Sequence, residues 1–337
     1  MRRALVTAET PLSRIAVLSN DALGNFAVVT PLLQMVRARH PGAILHYFGG
    51  TRIHELSQHL TYIDRSIPWL GTPVYEAIRT IKEPYDWVIN VEFSPWMAAS
   101  AALLAGAEGI VTGPCLTEDG RGYLPFPETA EGRLWRDDRW REGVTERHPE
   151  VRTGHISEIF ARIAGLEGDV PPYALPSQAP DRPVPDVLIA TTASLPEKLW
   201  TPDHWCALAD WCRGQELSVG LIGAKPATQS QFWQGADAEA EIAAHPAVED
   251  LRGVFTMPEV VGALAASRAV VTLDNGIMHF AAASGTPTIA LFRRSIHRLW
   301  APPSPHLHAV LSGEDDQVSE IDFGEVRQAL EKSLTDF

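Results

Sequence analysis

Cysteine is scarce: Cys115, Cys206 and Cys212 are the only three in 337 residues. Three thiols make no even disulfide framework, and no two of them stand in a CxxC metal-binding pair. The simplest expectation is a reducing compartment, the cytoplasm, with Cys206 and Cys212 as buried thiols of one helical pattern. Long apolar runs are missing too. No stretch approaches eighteen residues, which excludes a transmembrane helix. Residues 1–13 (MRRALVTAETPLS) lack the apolar centre of a secretory signal. Positive charge is in deficit, with 28 Lys and Arg against 42 Asp and Glu, a formal net charge of −14. That balance argues against a non-specific nucleic-acid binder and leaves at most peripheral contact with an anionic membrane.

What is present suffices for two cores. Hydrophobic residues make up 45% of the chain, so disorder is not the default, and the length suits two domains better than one. The boundary is expected in a stretch with six prolines, Pro171, Pro172, Pro176, Pro180, Pro183 and Pro185. Such a run continues neither a helix nor a central strand, and it stiffens a linker. The expected organisation is a domain over 1–168, a linker over 169–186 and a domain over 187–337, with a last helix over 323–334 that could pack back on the first domain.

Each half reads as alternating strands and helices. RIAVL (14–18) is a strand, followed by the loop 19–25, a helix over 26–40 carrying Pro31, and a strand over 43–48. Helices are expected from Thr51, over 73–81 and over 95–107. DWVINV (86–91) is the third strand. Residues 115–153 have no clean period, and read either as an elaborated loop region facing a cleft or as a solvated insertion. A helix over 155–165 closes the half. The second half restarts with VLIA (187–190). Thr201 and Pro202 form an N-cap and N1 pair, residues 217–222 a strand, and Thr256 with Glu259 a capping box.

The most informative stretch is AVVTLDNGIMHFAAASGTPTIALF (269–292). It reads as a buried parallel strand, a break at Asp274-Asn275-Gly276, a small-residue helix ending at Gly285, and a second strand. A glycine loop between a parallel strand and a helix gathers free amides and the positive end of the helix dipole, a phosphate-type anion site. The stretch resembles the D-[TS]-G-x-x-H-x-A-A-x-x-G-x-P signature of glycosyltransferase family 9, the ADP-heptose heptosyltransferase family, with Asn275 where Thr or Ser is usual. SNDALGNFAVVTPLL (19–33) is similar to a second family motif, R-x-D-A-L-G-D-x-x-x-T-T-P-x-L.

The resemblance implies a GT-B fold, two Rossmann-like α/β domains facing across a cleft, and metal-independent, inverting transfer of a sugar, heptose or a relative, from an ADP-sugar to an acceptor hydroxyl. It implies no cofactor and no metal, and no DxD pair stands where a metal would need it. It places the donor on the second domain. Thr191, Thr192 and Lys198 would hold the diphosphate, together with the amides of Asn275, Gly276 and Ile277, with His279 near the phosphate and Asp274 on the loop or on donor hydroxyls. Gly223 and Lys225 fall where the family binds ribose, although Lys225 stands where an acidic or polar residue is usual. Phe255 is placed either to pack on the base or to fill the core.

The first domain would hold the acceptor and the base. Where the family has its aspartate base this chain has Asn25, and an amide takes no proton at neutral pH. Asn90 likewise replaces an aspartate common at the end of its strand. Three readings stay open: another carboxylate acts, Glu92 first and Asp21 next; the acceptor needs little activation; or the protein binds a nucleotide-sugar with little turnover. The acidic surface also suits a small soluble acceptor, as in natural-product tailoring. Arg293 and Arg294 replace the family's Gly-Pro and either clamp an anion or stand solvated.

Overall fold

Short β-branched and apolar runs separated by helices dictate parallel sheets covered on both faces, and the computed structural model has two of them. It describes residues 1–79, 81–225 and 234–335. Thr80, at the end of the helix expected over 73–81, lies outside the described residues. The chain divides between Ala174 and Leu175, inside the proline-rich stretch.

The first unit contains β1 (Arg14–Leu18), α1 (Leu23–Arg39), β2 (Ile44–Gly50), α2 (Thr51–Ser57), β3 (Arg65–Leu70), α3 (Val74–Arg79), β4 (Trp87–Asn90), α4 (Pro95–Ala105), β5 (Ile110–Thr112), α5 (Ala130–Arg136), α6 (Val144–Arg147) and α7 (Ile156–Ile163). Its sheet runs β3-β2-β1-β4-β5, all parallel. The strand over 86–91 is therefore the fourth, not the third. RSIPWL carries Pro68, which cannot donate to a ladder, and β3 accommodates it by lying at the sheet edge. Residues 115–153 are not a plain loop either, since they form α5 and α6 and bury Trp135.

Pro31 lies inside α1 and leaves the Ala27 carbonyl without its usual amide donor. The hydroxyl of buried Thr30 donates to that carbonyl at 2.7 Å. The Thr-Pro pair thus keeps a proline-bearing helix satisfied within the core.

The second unit contains β6 (Val187–Ala190), α8 (Pro202–Gly214), β7 (Val219–Leu221), α9 (Ala236–Ala243), β8 (Val248–Asp250), α10 (Met257–Ala266), β9 (Ala269–Leu273), α11 (Gly276–Ser284), β10 (Thr288–Phe292), α12 (His297–Trp300), β11 (Leu307–Leu311) and α13 (Phe323–Thr335). Its parallel sheet runs β11-β10-β9-β6-β7-β8. Thr201 caps α8, accepting from the His204 amide at 3.3 Å, and Glu259 closes the capping box on the Thr256 amide at 2.9 Å. Val326 and Leu330 of α13 sit in the core of this unit, and the Trp200 indole donates to the Ile321 carbonyl just before the helix at 2.8 Å.

Both sheets share one logic. The chain lays β1, β2 and β3 toward one edge and then returns to place β4 beside β1. It lays β6, β7 and β8 toward an edge and returns to place β9 beside β6. Each sheet therefore has one point where strand order reverses, and loops leaving neighbouring strands there diverge and open a crevice.

Candidate functional site

At the reversal point of the second unit, Ala190 pairs with Thr272, so the loops after β6 and β9 leave side by side. Asn275 joins them: its Nδ2 donates to the Thr192 carbonyl at 2.9 Å. Its Oδ1 accepts from the Ile277 amide at 2.9 Å and the Met278 amide at 3.3 Å, capping α11. The expected trio of phosphate-binding amides is corrected by this geometry, because the Ile277 amide is already taken by the cap. A Thr or Ser here would cap as well but would carry no amide for Thr192.

Lys198 arrives from a short 3₁₀ turn over 196–198 and donates from Nζ to Asp274 Oδ2 at 2.6 Å. Both side chains are largely buried, 14% and 7% exposed. Nearly buried His279 sits on the first turns of α11, and burial, aided by the charge of Lys198, lowers its pKa to about 3. It is therefore a neutral ring at physiological pH. Thr191 is nearly buried, and its hydroxyl has no partner among the described residues. Thr191, Thr192, Lys198, Asp274, Asn275 and His279 thus gather at one reversal point, with a cation, a hydroxyl and a helix N-terminus converging.

Gly223, Lys225 and Phe255 form a separate neighbourhood beyond β7 and β8. The Gly253 amide donates to the Gly223 carbonyl at 2.8 Å. Lys225 is exposed, with its stem across Gly253, where a Cβ would lie 2.2 Å from the Lys225 Cγ. Phe255 is half-buried. Arg293 is engaged by Asp316, to which it donates from Nε at 2.9 Å. Arg294 donates from Nε to the Ser312 carbonyl at 3.1 Å. Both arginines fasten the loop after β10 to the one after β11.

At the reversal point of the first unit, Leu18 pairs with Asn90. Asn90 is fully buried. Its Nδ2 donates to the Pro114 carbonyl at 2.7 Å and the Glu92 carbonyl at 3.0 Å, while its Oδ1 accepts from the Glu92 amide at 3.0 Å. A carboxylate there would face two carbonyl oxygens with no proton to offer. The amide instead clamps the backbone of Glu92.

Glu92 itself is half-buried. Burial raises its pKa to about 7, against the pull of the Asn20 side-chain amide and backbone N–H that face its carboxylate. Asn20 is oriented by its Oδ1, which accepts from the Ala22 amide at 2.9 Å. Asn20 was visible in the motif SNDALGN, but nothing in its spacing singles it out. Asp21 is engaged differently. It accepts from the Arg52 amide at 2.9 Å, capping α2, and its carboxylate fills the space where a Cβ on Gly50 would lie 2.0 Å away. Its pKa is nevertheless raised, mainly by burial. Asn25 is half-buried on the first turn of α1, and its side chain has no hydrogen bond among the described residues.

Residues 170–325 match the family model described as glycosyltransferase family 9 (heptosyltransferase). Among solved structures, a glycosyl transferase family 9 protein from Veillonella parvula DSM 2008 superposes with a TM-score of 0.72 at 17% identity, covering 96% of this chain and 98% of its own. The ADP-heptose lps heptosyltransferase II of E. coli gives 0.67 at 18% identity, with 96% and 99% covered. The E. coli heptosyltransferase WaaC, solved with ADP, gives 0.65 at 17% identity, with 95% and 99% covered. No curated protein sequence matches. At these identities the superpositions establish the fold: two parallel α/β units of the GT-B plan.

Proposed function

We propose that this chain, whose residues 170–325 match the family 9 model, is a glycosyltransferase that moves a sugar, heptose or a close relative, from an ADP-sugar to an acceptor hydroxyl with inversion and without a metal. The observation that carries the donor side is the convergence of Lys198, Thr191 and the N-terminus of α11 at one reversal point. A cation, a hydroxyl and a helix dipole directed at one place suit a diphosphate. That E. coli WaaC was solved with ADP, and also with ADP-2-deoxy-2-fluoro heptose, supports the choice of nucleotide.

In this reading the acceptor oxygen attacks the anomeric carbon from the face opposite the diphosphate. Its proton passes to the Glu92 carboxylate as the new C–O bond forms. The old bond breaks toward the diphosphate, whose growing charge is met by Lys198 and the α11 dipole. A carboxyl group with a pKa of about 7 is matched to this task, since it is basic enough to take a proton and about half ionised at neutral pH. Asn20 and Asn90 position it, and Asn25 can orient a hydroxyl but not deprotonate it. Lys198 and the helix end supply the charge that a divalent cation supplies elsewhere.

Calorimetry with ADP, followed by an ADP-release assay with ADP-heptose, tests the reading. Binding of ADP that is lost in Lys198→Ala is the expected result. A chain that binds no adenine nucleotide would overturn it.

A further inference from the structure

The loop that carries Glu92 and the first turn of α4 after it leave two aromatic rings in water. Phe93 is 57% exposed and Trp96 is 40% exposed. Large apolar side chains three residues apart and both exposed are a candidate binding surface. Neither ring can fold away, because each is backed by a buried indole. Phe93 meets Trp135 edge to face, with centroids 4.9 Å apart, and lies 6.4 Å from Trp140. Trp135 is 4% exposed and stacks on Phe126 at 5.8 Å. Trp96 lies nearly parallel to Trp69 at 6.4 Å. The Trp69 indole donates to Ser100 at 2.7 Å, and Ser100 in turn donates to the Trp96 carbonyl at 2.8 Å. Between the two rings, Ser94 caps α4 through the Met97 amide at 3.2 Å and Pro95 opens the helix.

We infer that the acceptor is a planar aromatic or polycyclic alcohol, held by Phe93 and Trp96 so that its hydroxyl meets Glu92. This rests on the reading of Glu92 as the base. Rigid rings bind flat apolar faces at little entropic cost, since they are already immobile. An acceptor rich in phosphate or carboxylate would instead call for clustered Lys and Arg. Asn20 is the group that hydrogen-bonds the Glu92 carboxylate, Phe93 follows Glu92 directly in the chain, Trp96 stands on the first turn of α4, and the cation acting on Asp21 is Arg52.

The test is a fluorescence titration of the full chain with a hydroxycoumarin as the planar phenol, beside calorimetry with methyl glucoside as the ring without a π face. ADP calorimetry on the same samples reports on the second unit. Saturable hydroxycoumarin binding, weakened at least about tenfold in Phe93→Ala and in Trp96→Ala but kept within about threefold in Phe93→Tyr, is expected, with ADP affinity unchanged throughout. Absence of hydroxycoumarin binding, or equal binding by Phe93→Ala/Trp96→Ala, would overturn the inference. So would methyl glucoside binding that depends on the two rings while the phenol's does not, which would assign them to a saccharide. Loss of ADP binding alone would count against the donor reading and leave the acceptor inference standing.

Discussion

Replacing Lys198 by methionine removes the cation at the proposed diphosphate site and orphans its partner. Lys198 Nζ lies 2.6 Å from Asp274 Oδ2, and Asp274 is 7% exposed. The direct loss is one charge-assisted hydrogen bond to phosphate, about 1.5–3 kcal/mol or roughly 10- to 150-fold in Kd. A second loss follows from the pair. With Lys198 gone, the Asp274 carboxylate faces the incoming phosphates uncompensated. At about 5 Å and an effective dielectric of about 20, two like charges repel by about 3 kcal/mol. The double variant Lys198→Met/Asp274→Asn removes that repulsion, so it should bind ADP more tightly than the single variant while still binding less tightly than wild type. The same order should hold for thermal stability. Breaking a fully buried pair costs about 3–5 kcal/mol, less here because both groups keep some solvent, and neutralising the orphan recovers part of it. Calorimetry at fixed ionic strength and a thermal melt read both quantities. Unchanged ADP affinity in Lys198→Met would remove the lysine from the site, and a double variant no better than the single would mean that Asp274 does not face the nucleotide.

Glu92→Gln should lower kcat by about 10²–10⁴-fold and leave ADP affinity intact, and wild-type kcat should rise with pH through about 7 as Glu92 loses its proton; a flat profile between pH 6 and 8 would count against this base. The same group has a stability signature: its folded pKa is about 7 against an ordinary 4.5, so the folded state binds the extra proton and stability falls as pH rises from about 4.5 to 7. Glu92→Gln should therefore melt higher than wild type above pH 7, by up to about 3 kcal/mol in unfolding free energy. Asn90→Asp loses two donors in a fully buried site and should cost about 2–4 kcal/mol, read as a lowered denaturant midpoint with unchanged slope. Transfer should persist in excess EDTA; activity lost there and restored by Mg²⁺ or Mn²⁺ would contradict the metal-free mechanism.

Strands whose residues settle their own geometry were legible in the sequence. RIAVL, VLIA and AVVTL are short apolar runs, and each is a central strand of its sheet. What escaped was decided by neighbours. RSIPWL has no strand pattern until β2 offers it an edge where Pro68 does no harm. IVT and VED are three residues each, too short for any period to register. Residues 115–153 hide α5 and α6 because what orders them is a tertiary hub: Asp137 holds Arg147 at 2.7 Å and His148 at 3.0 Å. The loops of the candidate site were readable because turn chemistry and family motifs are local. Asn20 and the paired indoles behind Phe93 and Trp96 were not, since their partners lie on other segments of the chain.

The three asparagines that depart from the family pattern have three different physical accounts. Asn275 caps α11 and also reaches across to Thr192, so the amide adds a tie between two loops that a hydroxyl could not make. Asn90 needs both ends of its amide, because the carbonyls of Glu92 and Pro114 want a donor and the Glu92 amide wants an acceptor. An aspartate in either place would lose bonds that hold the loops. Asn25 has no such employment among the described residues, so its amide is the one whose cause lies outside the fold. If Glu92 is the base and position 25 shares its site, as the family motif implies, a carboxylate at 25 would raise the pKa of both by like-charge repulsion, pushing a value already at about 7 above the working pH. An uncharged residue at position 25 then spares the relocated base a further rise. The variant Asn25→Asp should therefore move the rise in kcat to higher pH rather than increase the rate at pH 7. An Asn25→Asp enzyme faster than wild type at pH 7, with Glu92→Gln silent in that background, would show that the proton still leaves through position 25.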